Sequence, residues 1–197
     1  MLRLLLLVWL ISLSSEVNAN NKNQIIKKLK DTLNLNFDFE QDINGKIEFG
    51  NCTIQYPKKM FCAYDQKNKV IVSNGKSLVI KSTSSYYRYP LDKTPLNFIL
   101  DKNFLLKKIA ELNEEIINNS LIKFTINENN QSIEIFFDID NYNLIGWQTK
   151  DIYQNIAVTL LYSVKSNQIV DEKIFKTPLQ NKILTISDLN IFIPLAR

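Results

Sequence analysis

The stretch 132–164 constrains the fold more than any other part of the chain. It contains three strand-like runs, at 132–138, 144–149 and 156–164, with polar breaks between them. In the first and third runs apolar residues alternate with other residues, which predicts half-buried antiparallel strands. The residues expected to share the apolar face are Ile133, Ile135 and Phe137 in the first run and Ile156, Val158, Leu160, Tyr162 and Val164 in the third.

Short runs of the same kind occupy the first half of the chain. They lie at 37–39, 47–49, 52–56, 60–64, 70–73, 78–81 and 86–89. Asn44-Gly45 and Asn74-Gly75 separate adjacent runs, and such dipeptides are typical of tight hairpin turns. These runs therefore predict further antiparallel strands.

Two segments have helical spacing instead. The segment 21–34 places apolar residues on one face and lysines on the other, which predicts an amphipathic helix. The segment 95–117 begins with Thr94 as a cap and Pro95 in the first turn. It fits one helix, two helices, or a helix followed by a strand.

The number and order of these elements indicate the fold class. We count roughly ten strands and two or three helices, and the segments Ile174-Phe175 and 183–194 also look extended. Runs of antiparallel strands with segregated helices predict an α+β fold, with the helices covering one side of the sheet. An apolar cavity would lie between the helices and the concave side.

The N-terminal residues resemble an export signal. Arg3 precedes an apolar run at 4–13, and Val17-Asn18-Ala19 supplies small residues for cleavage. We expect a signal peptide over residues 1–19 and a single domain over 20–197; the alternative is an uncleaved anchor. No cysteine lies near the cleavage site, so the chain lacks the residue to which an N-terminal lipid is attached.

The composition argues against several functional classes. The chain contains no histidine, which is the commonest general base and metal ligand. It also lacks a Gly-x-Ser-x-Gly elbow and a glycine-rich phosphate loop. The acidic pair Asp138 and Asp140 is better explained as a solvated strand end. We expect no enzymatic activity, no cofactor and no metal, and the scattered lysines behind a net charge of +4 do not indicate nucleic-acid binding.

The two cysteines are Cys52 and Cys62. The residues between them look like a hairpin that turns near Pro57, which would place the cysteines opposite each other. In an oxidising compartment they could form a disulfide, and the alternative is a pair of buried thiols.

Several short motifs follow one another in a specific order over most of the chain. They are Phe37-Asp-Phe39-Glu-Gln41, Gly50 with Tyr56-Pro57, Val70-Ile-Val-Ser-Asn-Gly75-Lys-Ser-Leu78, Tyr89-Pro90-Leu91 with Thr94-Pro95-Leu96 and Ile99-Leu100, Asp138 with Asn143-Leu144-Ile-Gly146-Trp147 and Asp151, and Phe175. This order resembles the periplasmic outer-membrane lipoprotein carrier family, LolA. The resemblance implies an unclosed antiparallel β-barrel of about eleven strands, with a lid of helices over its apolar concave face.

The resemblance also implies a function. A member of this family would be a periplasmic chaperone that accepts triacylated lipoproteins from an inner-membrane ABC-type releasing complex. It would deliver them to an outer-membrane lipoprotein receptor. The alternatives are a half-barrel that senses lipid or lipoprotein, and the outer-membrane acceptor of the same fold, which the missing N-terminal cysteine disfavours. We expect a monomer.

The resemblance finally suggests site residues. Many family members carry an arginine that ties the barrel to the lid at the position of Tyr56, so Tyr56 is the candidate lid latch, with Lys58, Lys59 or Arg88 as possible substitutes. We expect the helices 22–34 and 95–117 to close on the sheet when empty and to open on loading. The residues expected to line the acyl-chain cavity are Phe37, Phe39, Ile47, Phe49, Met60, Val72, Leu78, Ile80, Ile135, Phe137, Trp147, Val158 and Leu160.

Overall fold

The computed structural model describes residues 16–66, 68–128, 130–150 and 155–180. Three features of the sequence lie outside these residues: the apolar core of the predicted signal peptide, the motif residue Asp151, and the predicted extended tail 183–194.

The strands form one antiparallel sheet of eleven strands, in the order β6-β5-β4-β3-β2-β1-β11-β10-β9-β8-β7. Its first half contains β1 (Asn34–Ile43), β2 (Lys46–Gln55), β3 (Lys59–Tyr64), β4 (Val70–Asn74), β5 (Ser77–Lys81) and β6 (Tyr86–Pro90). Its second half contains β7 (Glu115–Ile117), β8 (Leu121–Glu128), β9 (Gln131–Asp138), β10 (Leu144–Lys150) and β11 (Ile156–Ser166). The edge strands β6 and β7 are not paired with each other, so the sheet is an open barrel, as predicted.

In the part of the chain that the structure describes, three α-helices accompany the sheet: α1 (Glu16–Asp31), α2 (Leu96–Leu100) and α3 (Lys102–Glu111). The predicted helix 95–117 is therefore two helices and a strand. Asp101 has a non-helical backbone that ends α2, and its carboxylate accepts a hydrogen bond from the Phe104 amide at 3.2 Å, which caps α3. Within the described ranges no helix is long and apolar enough to cross a membrane.

Two short 3₁₀ helices complete the fold: η1 (Leu91–Lys93) and η2 (Glu172–Phe175). The prediction that Ile174 and Phe175 are extended is wrong, because Asp171 caps a helical turn through the Lys173 amide at 2.9 Å. The turn buries both apolar side chains against the sheet.

The main core lies between the concave face of the sheet and the helices. In β8 and β9 every second residue points into it, and Phe124 and Phe137 are fully buried. On the helix side, Ile25 of α1 and Leu105 and Ile109 of α3 are also fully buried. The alternation predicted for Ile133, Ile135 and Phe137 is confirmed.

The face predicted for β11 is wrong over most of the strand. Ala157, Thr159 and Leu161 are buried, whereas the neighbouring even-numbered residues point outward. The register between β1 and β11 shifts near Ser163, which has a φ of 52°. Such a bulge adds one residue and exchanges the two faces, so only Val164 of the predicted set packs against the main core.

Candidate functional site

The candidate site is the interior between the helical lid and the concave face. We call the side of the sheet that faces the lid the inner face and the opposite side the outer face. Seven of the predicted lining residues belong to the cluster of buried side chains on the inner face. They are Phe37, Phe39, Met60, Leu78, Ile135, Phe137 and Trp147.

Aromatic side chains run through this interior from strand to strand. The ring centroids of Phe37 and Trp147 are 6.2 Å apart in an edge-to-face arrangement, and those of Phe39 and Tyr64 are 4.9 Å apart. Phe39 lies over Gly50, where an ideal Cβ would come within 2.8 Å of the ring and 2.1 Å of the Ala63 carbonyl oxygen. Only glycine at position 50 therefore leaves room for this aromatic contact.

Four predicted lining residues, Ile47, Phe49, Val158 and Leu160, lie on the outer face, so their assignment to the cavity is wrong. In β2 the inner face is formed by Gly50, Cys52 and Ile54 in an even-numbered series, which turns the odd-numbered residues outward. The β11 bulge has the same effect on Val158 and Leu160.

Val72 and Ile80 also lie away from the main interior. Val72 packs on the outer face in a separate cluster with Ile174 and Phe175 of η2, which contradicts its assignment to the cavity. Ile80 shares the inner face with Ile71, its partner across β4 and β5, but it is only partly buried and lies near the β6 edge.

The largest group that sequence reasoning missed belongs to β8. Ile122, Phe124 and Ile126 are fully or almost fully buried and face the lid. They alternate with polar residues in the segment Leu121–Glu128. The alternation that identified the neighbouring strand β9 is therefore present in β8 as well and could have predicted these residues.

The lid side chains fill the interior in this conformation. α2 contributes Phe98, Ile99 and Leu100, and each of these side chains is buried. Leu29 of α1 and Leu105 of α3 join the same cluster as the inner-face strand residues. An apolar ligand entering this space would have to displace these side chains.

Tyr56 does not serve as a latch through its hydroxyl. Its ring is part of the core, and its Oη is buried without a hydrogen-bond partner in the part of the chain that the structure describes. Burial raises the pKa of Tyr56 well above its usual value. The Tyr56–Pro57 peptide bond is cis, and the Tyr56 amide donates to the Leu33 carbonyl at 3.0 Å.

Lys58 makes a polar contact between the barrel and the lid. Its amide donates to the Leu100 carbonyl at 2.8 Å, and its Nζ lies 2.9 Å from Asp101 Oδ2 at the junction of α2 and α3. The other two suggested substitutes are engaged elsewhere: Lys59 with Glu172 on the outer face, and Arg88 with Ser77 at 3.2 Å. Lys58, two residues beyond Tyr56, thus joins the β2–β3 turn to the α2–α3 junction.

Further polar contacts hold the rim of the lid. Lys102 Nζ donates to the carbonyls of Lys30 at 3.1 Å and Thr32 at 3.0 Å, which joins the start of α3 to the end of α1. At the other end of α3, Lys108 Nζ is 2.6 Å from Glu128 Oε2 on β8, and this hydrogen bond raises the pKa of Lys108. The lid therefore packs through an apolar interior and a polar rim.

A polar network occupies the end of the inner face opposite Lys58. Tyr64 Oη donates to Gln41 Oε1 at 2.8 Å, and Gln41 Nε2 donates to Thr159 Oγ1 at 3.1 Å. Lys69 pairs with Glu48 and places its Nζ 3.6 Å from the centroid of the Tyr64 ring. Burial, together with the charge of Glu48, raises the pKa of Tyr64.

Cys52 and Cys62 are directly opposite each other on β2 and β3. Their Sγ atoms are 1.99 Å apart, which is bonding distance, and the Cα atoms are 4.1 Å apart. Of the two states that the sequence leaves open, the structure contains the disulfide. It lies on the inner face as part of the main core.

The fold is therefore an open antiparallel half-barrel whose apolar interior is covered by helices. The residues 31–178 match the family model described as outer membrane lipoprotein carrier protein LolA. Because the match covers more than half of the chain, the chain belongs to the LolA family.

Solved structures with similar folds share little sequence with this chain. A LolA superfamily protein from Nitrosomonas europaea has 9% identity and a TM-score of 0.43, over 81% of this chain and 97% of its own. A putative outer membrane lipoprotein-sorting protein domain from Vibrio parahaemolyticus has 8% identity and a TM-score of 0.44, over 78% and 94%. The lipoprotein LppX from Mycobacterium tuberculosis has 11% identity and a TM-score of 0.42, over 80% and 100%. None of the curated protein sequences matches the chain significantly.

Proposed function

We propose that this protein is a periplasmic chaperone that binds the acyl chains of lipoproteins and carries them between membranes. The observation that carries this proposal is the apolar interior, which is closed by removable helix side chains such as Phe98, Leu105 and Ile109. Membership of the LolA family and the signal-peptide pattern of residues 1–19 support the same function.

The energetics of acyl chains explain the need for such an interior. Burying one CH₂ group gains about 0.8 kcal/mol, so a single 16-carbon chain gains about 12 kcal/mol when it leaves water. Opening the lid exposes buried side chains of α1, α2 and α3 and offsets part of this gain. The net affinity is then moderate, which allows a downstream acceptor to remove the cargo without ATP.

In this proposal the cargo comes from an inner-membrane ABC-type releasing complex and passes to an outer-membrane lipoprotein receptor. The carrier itself needs no catalytic group. Its described residues contain no group of three or more potential metal ligands. Loading and unloading are then governed by the relative affinities of the releasing complex, the carrier and the receptor for the same acyl chains.

Trp147 provides a direct test of acyl binding. Of the two tryptophans in the sequence, Trp9 lies in the predicted signal peptide, so residues 20–197 contain Trp147 alone. A triacylated lipopeptide with brominated acyl chains should quench its fluorescence and saturate at one ligand per protein, because Trp147 lies in the interior beside Phe37.

The control moves the tryptophan to the outer face. The double variant Trp147→Phe, Phe49→Trp should show little quenching, since Phe49 is outside the interior. Equal quenching of both proteins would indicate non-specific adsorption, and no quenching of either would contradict acyl binding in the interior. Loaded protein should then donate its cargo to outer-membrane vesicles; retention of the cargo would favour a lipid-sensing or acceptor function instead.

A further inference from the structure

The outer face of the sheet carries an exposed apolar patch divided by a row of carboxylates. We call it the outer patch; it spans β2, β1 and β11. Its residues are Ile47 and Phe49 on β2, Asp38, Glu40 and Asp42 on β1, and Val158, Leu160 and Tyr162 on β11.

The strand register aligns these residues in three parallel rows. Glu40 is directly opposite Phe49 on one side and Leu160 on the other. Asp42 is likewise between Ile47 and Val158, and Asp38 is opposite Tyr162. The carboxylates therefore form a central acidic row with an apolar row on each side.

Four of the five apolar side chains of the outer patch are exposed to solvent, and Val158 is half-buried. The exposed fractions are 51% for Ile47, 48% for Phe49, 39% for Leu160 and 47% for Tyr162. On β10 the partner of Leu160 is Gly146, which offers no side chain to cover it. Exposed apolar rows of this kind, on either side of the acidic row, are unusual on a folded protein and can mark an interaction site.

The remainder of the outer face does not have this character. Over β3 and β4 it is covered by the chain itself, because Ile174 and Phe175 of η2 pack against Phe61 and Val72. Over β8, β9 and β10 the partly buried Phe136 is accompanied by polar contacts: Lys123 lies 3.8 Å from Glu134, which also accepts a hydrogen bond from Gln148. The outer patch is thus an uncovered apolar region between a covered region and a polar one.

The acidic row indicates what kind of surface would fit. Among the residues that the structure describes, none of the three carboxylates forms an ion pair, and Asp42 alone accepts a turn hydrogen bond, from the Gly45 amide at 2.7 Å. Carboxylates flanked by apolar rows are complementary to a segment with basic residues in the centre and apolar residues on both sides.

We propose that the outer patch docks a basic amphipathic helix of a partner protein. Alternate residues of a strand are about 6.8 Å apart, close to the rise of about 6 Å between helix residues i and i+4. The two apolar rows are separated by two strand spacings, about 9.6 Å, which is similar to the width of one helix. Lys or Arg at i, i+4 and i+8 would therefore lie over Asp38, Glu40 and Asp42.

The last described residues of the chain lead away from the outer patch. After η2 the described chain continues towards β5, where the Leu179 carbonyl accepts a hydrogen bond from Lys81 Nζ at 2.5 Å. This direction leads away from β1 and β11, because β2, β3 and β4 lie between them and β5. A partner protein is therefore the occupant to test, and this docking does not depend on the nature of the cargo.

Site-specific photo-crosslinking in cells that express the full chain tests the proposal. A benzoylphenylalanine at position 162 replaces an exposed aromatic side chain at the edge of the outer patch. We expect an adduct with another protein, mapped by mass spectrometry to a segment with Lys or Arg at i and i+4 between apolar residues. The same photoreactive residue at position 33, which is 64% exposed and lies just before β1, beyond the end of the outer patch, should not give this adduct.

Charge reversal distinguishes specific docking from casual contact. Asp38→Lys combined with Glu40→Lys should reduce the adduct at least tenfold, whereas Asp140→Lys, at an exposed turn, should leave it unchanged. Melting temperatures equal to that of the parent protein would show that both the double variant and the Asp140→Lys variant are folded. An adduct to residues 181–197, an adduct to a second copy of the chain, an adduct insensitive to charge reversal, or no adduct above the position-33 control would each overturn the proposal.

Discussion

The Tyr56 hydroxyl stabilises nothing in the closed conformation, although it occupies the position expected for the latch. Its oxygen is buried and makes no hydrogen bond to any described residue. A buried polar group without a partner costs about 1–3 kcal/mol. The ring itself packs in the core and has Lys102 Nζ 5.7 Å from its centroid, so the aromatic surface of Tyr56 is its structural contribution.

We therefore predict that Tyr56→Phe stabilises the closed protein by about 1 kcal/mol, because it removes the unpaired hydroxyl and keeps the ring. Chemical denaturation and thermal unfolding measure the effect, and an increase of about 2–4 °C in melting temperature is expected.

Tyr64→Phe is the matched control for this prediction. The Tyr64 hydroxyl donates to Gln41 in the same core, so its removal should destabilise the protein by about 1 kcal/mol. If Tyr56→Phe also lowered the stability, the Tyr56 hydroxyl would have to be paired in solution.

Among the elements of the fold, the junction of α2 and α3 connects the lid to the barrel. Asp101 accepts the Phe104 amide and also pairs with Lys58, so one carboxylate caps a helix and holds it to the turn between β2 and β3. The ion pair is partly exposed, which limits its contribution to about 0.5 kcal/mol.

We predict that Lys58→Met loosens the lid with little loss of global stability. Acrylamide should quench Trp147 more readily, and the amides of α3 should exchange faster with deuterium. The matched control is Lys59→Met, whose ion pair with Glu172 lies on the outer face and should leave Trp147 unaffected. Unchanged quenching in the Lys58 variant would contradict a latch at this position.

The attachment of the segment η2 to the outer face should weaken at low pH, so that partial detachment becomes more frequent. Hydrogen bonds from Lys59 and Gln55 lower the pKa of the Glu172 carboxyl. Because this pKa is lowered in the folded protein, the contacts of the Glu172 carboxylate give their full stabilisation above the ordinary glutamate pKa of about 4.3. This stabilisation is lost as the pH falls through the lowered pKa.

Hydrogen exchange of residues 172–175 between pH 6 and pH 3 measures this detachment. Glu172→Gln should remove most of the pH dependence, because glutamine does not titrate. A Glu172→Gln protein with the same acid-induced exposure as the parent would show that another carboxylate is responsible.

For the whole molecule, the sequence predicts the fold class and strand number better than it predicts which face of a strand is buried. The face of β9 is predictable because Ile133, Ile135 and Phe137 alternate with polar residues. β11 has apolar residues on both faces and a bulge at Ser163, so alternation alone selects the wrong face.

Contacts that depend on tertiary packing are also beyond the sequence. The sequence narrows the candidates for the latch to Tyr56, Lys58, Lys59 or Arg88, but the contact between Lys58 and Asp101 depends on where the α2–α3 junction lies above the β2–β3 turn. Similarly, a short apolar pair such as Ile174-Phe175 is compatible with a strand or a helical turn, and the outer surface of β3 and β4 determines which one forms.

The sheet topology has a consequence for the order of folding. Every pairing in the described sheet joins strands that are neighbours in sequence except the pairing of β1 with β11, which places Leu35 opposite Ser166. The strands β1–β6 and β7–β11 can therefore form as two independent meanders from local contacts, whereas the seam between them requires the closure of a loop that contains most of the chain. We expect this seam to form last, so substitutions at the β1–β11 pairing should mainly accelerate unfolding while those inside either meander should slow folding.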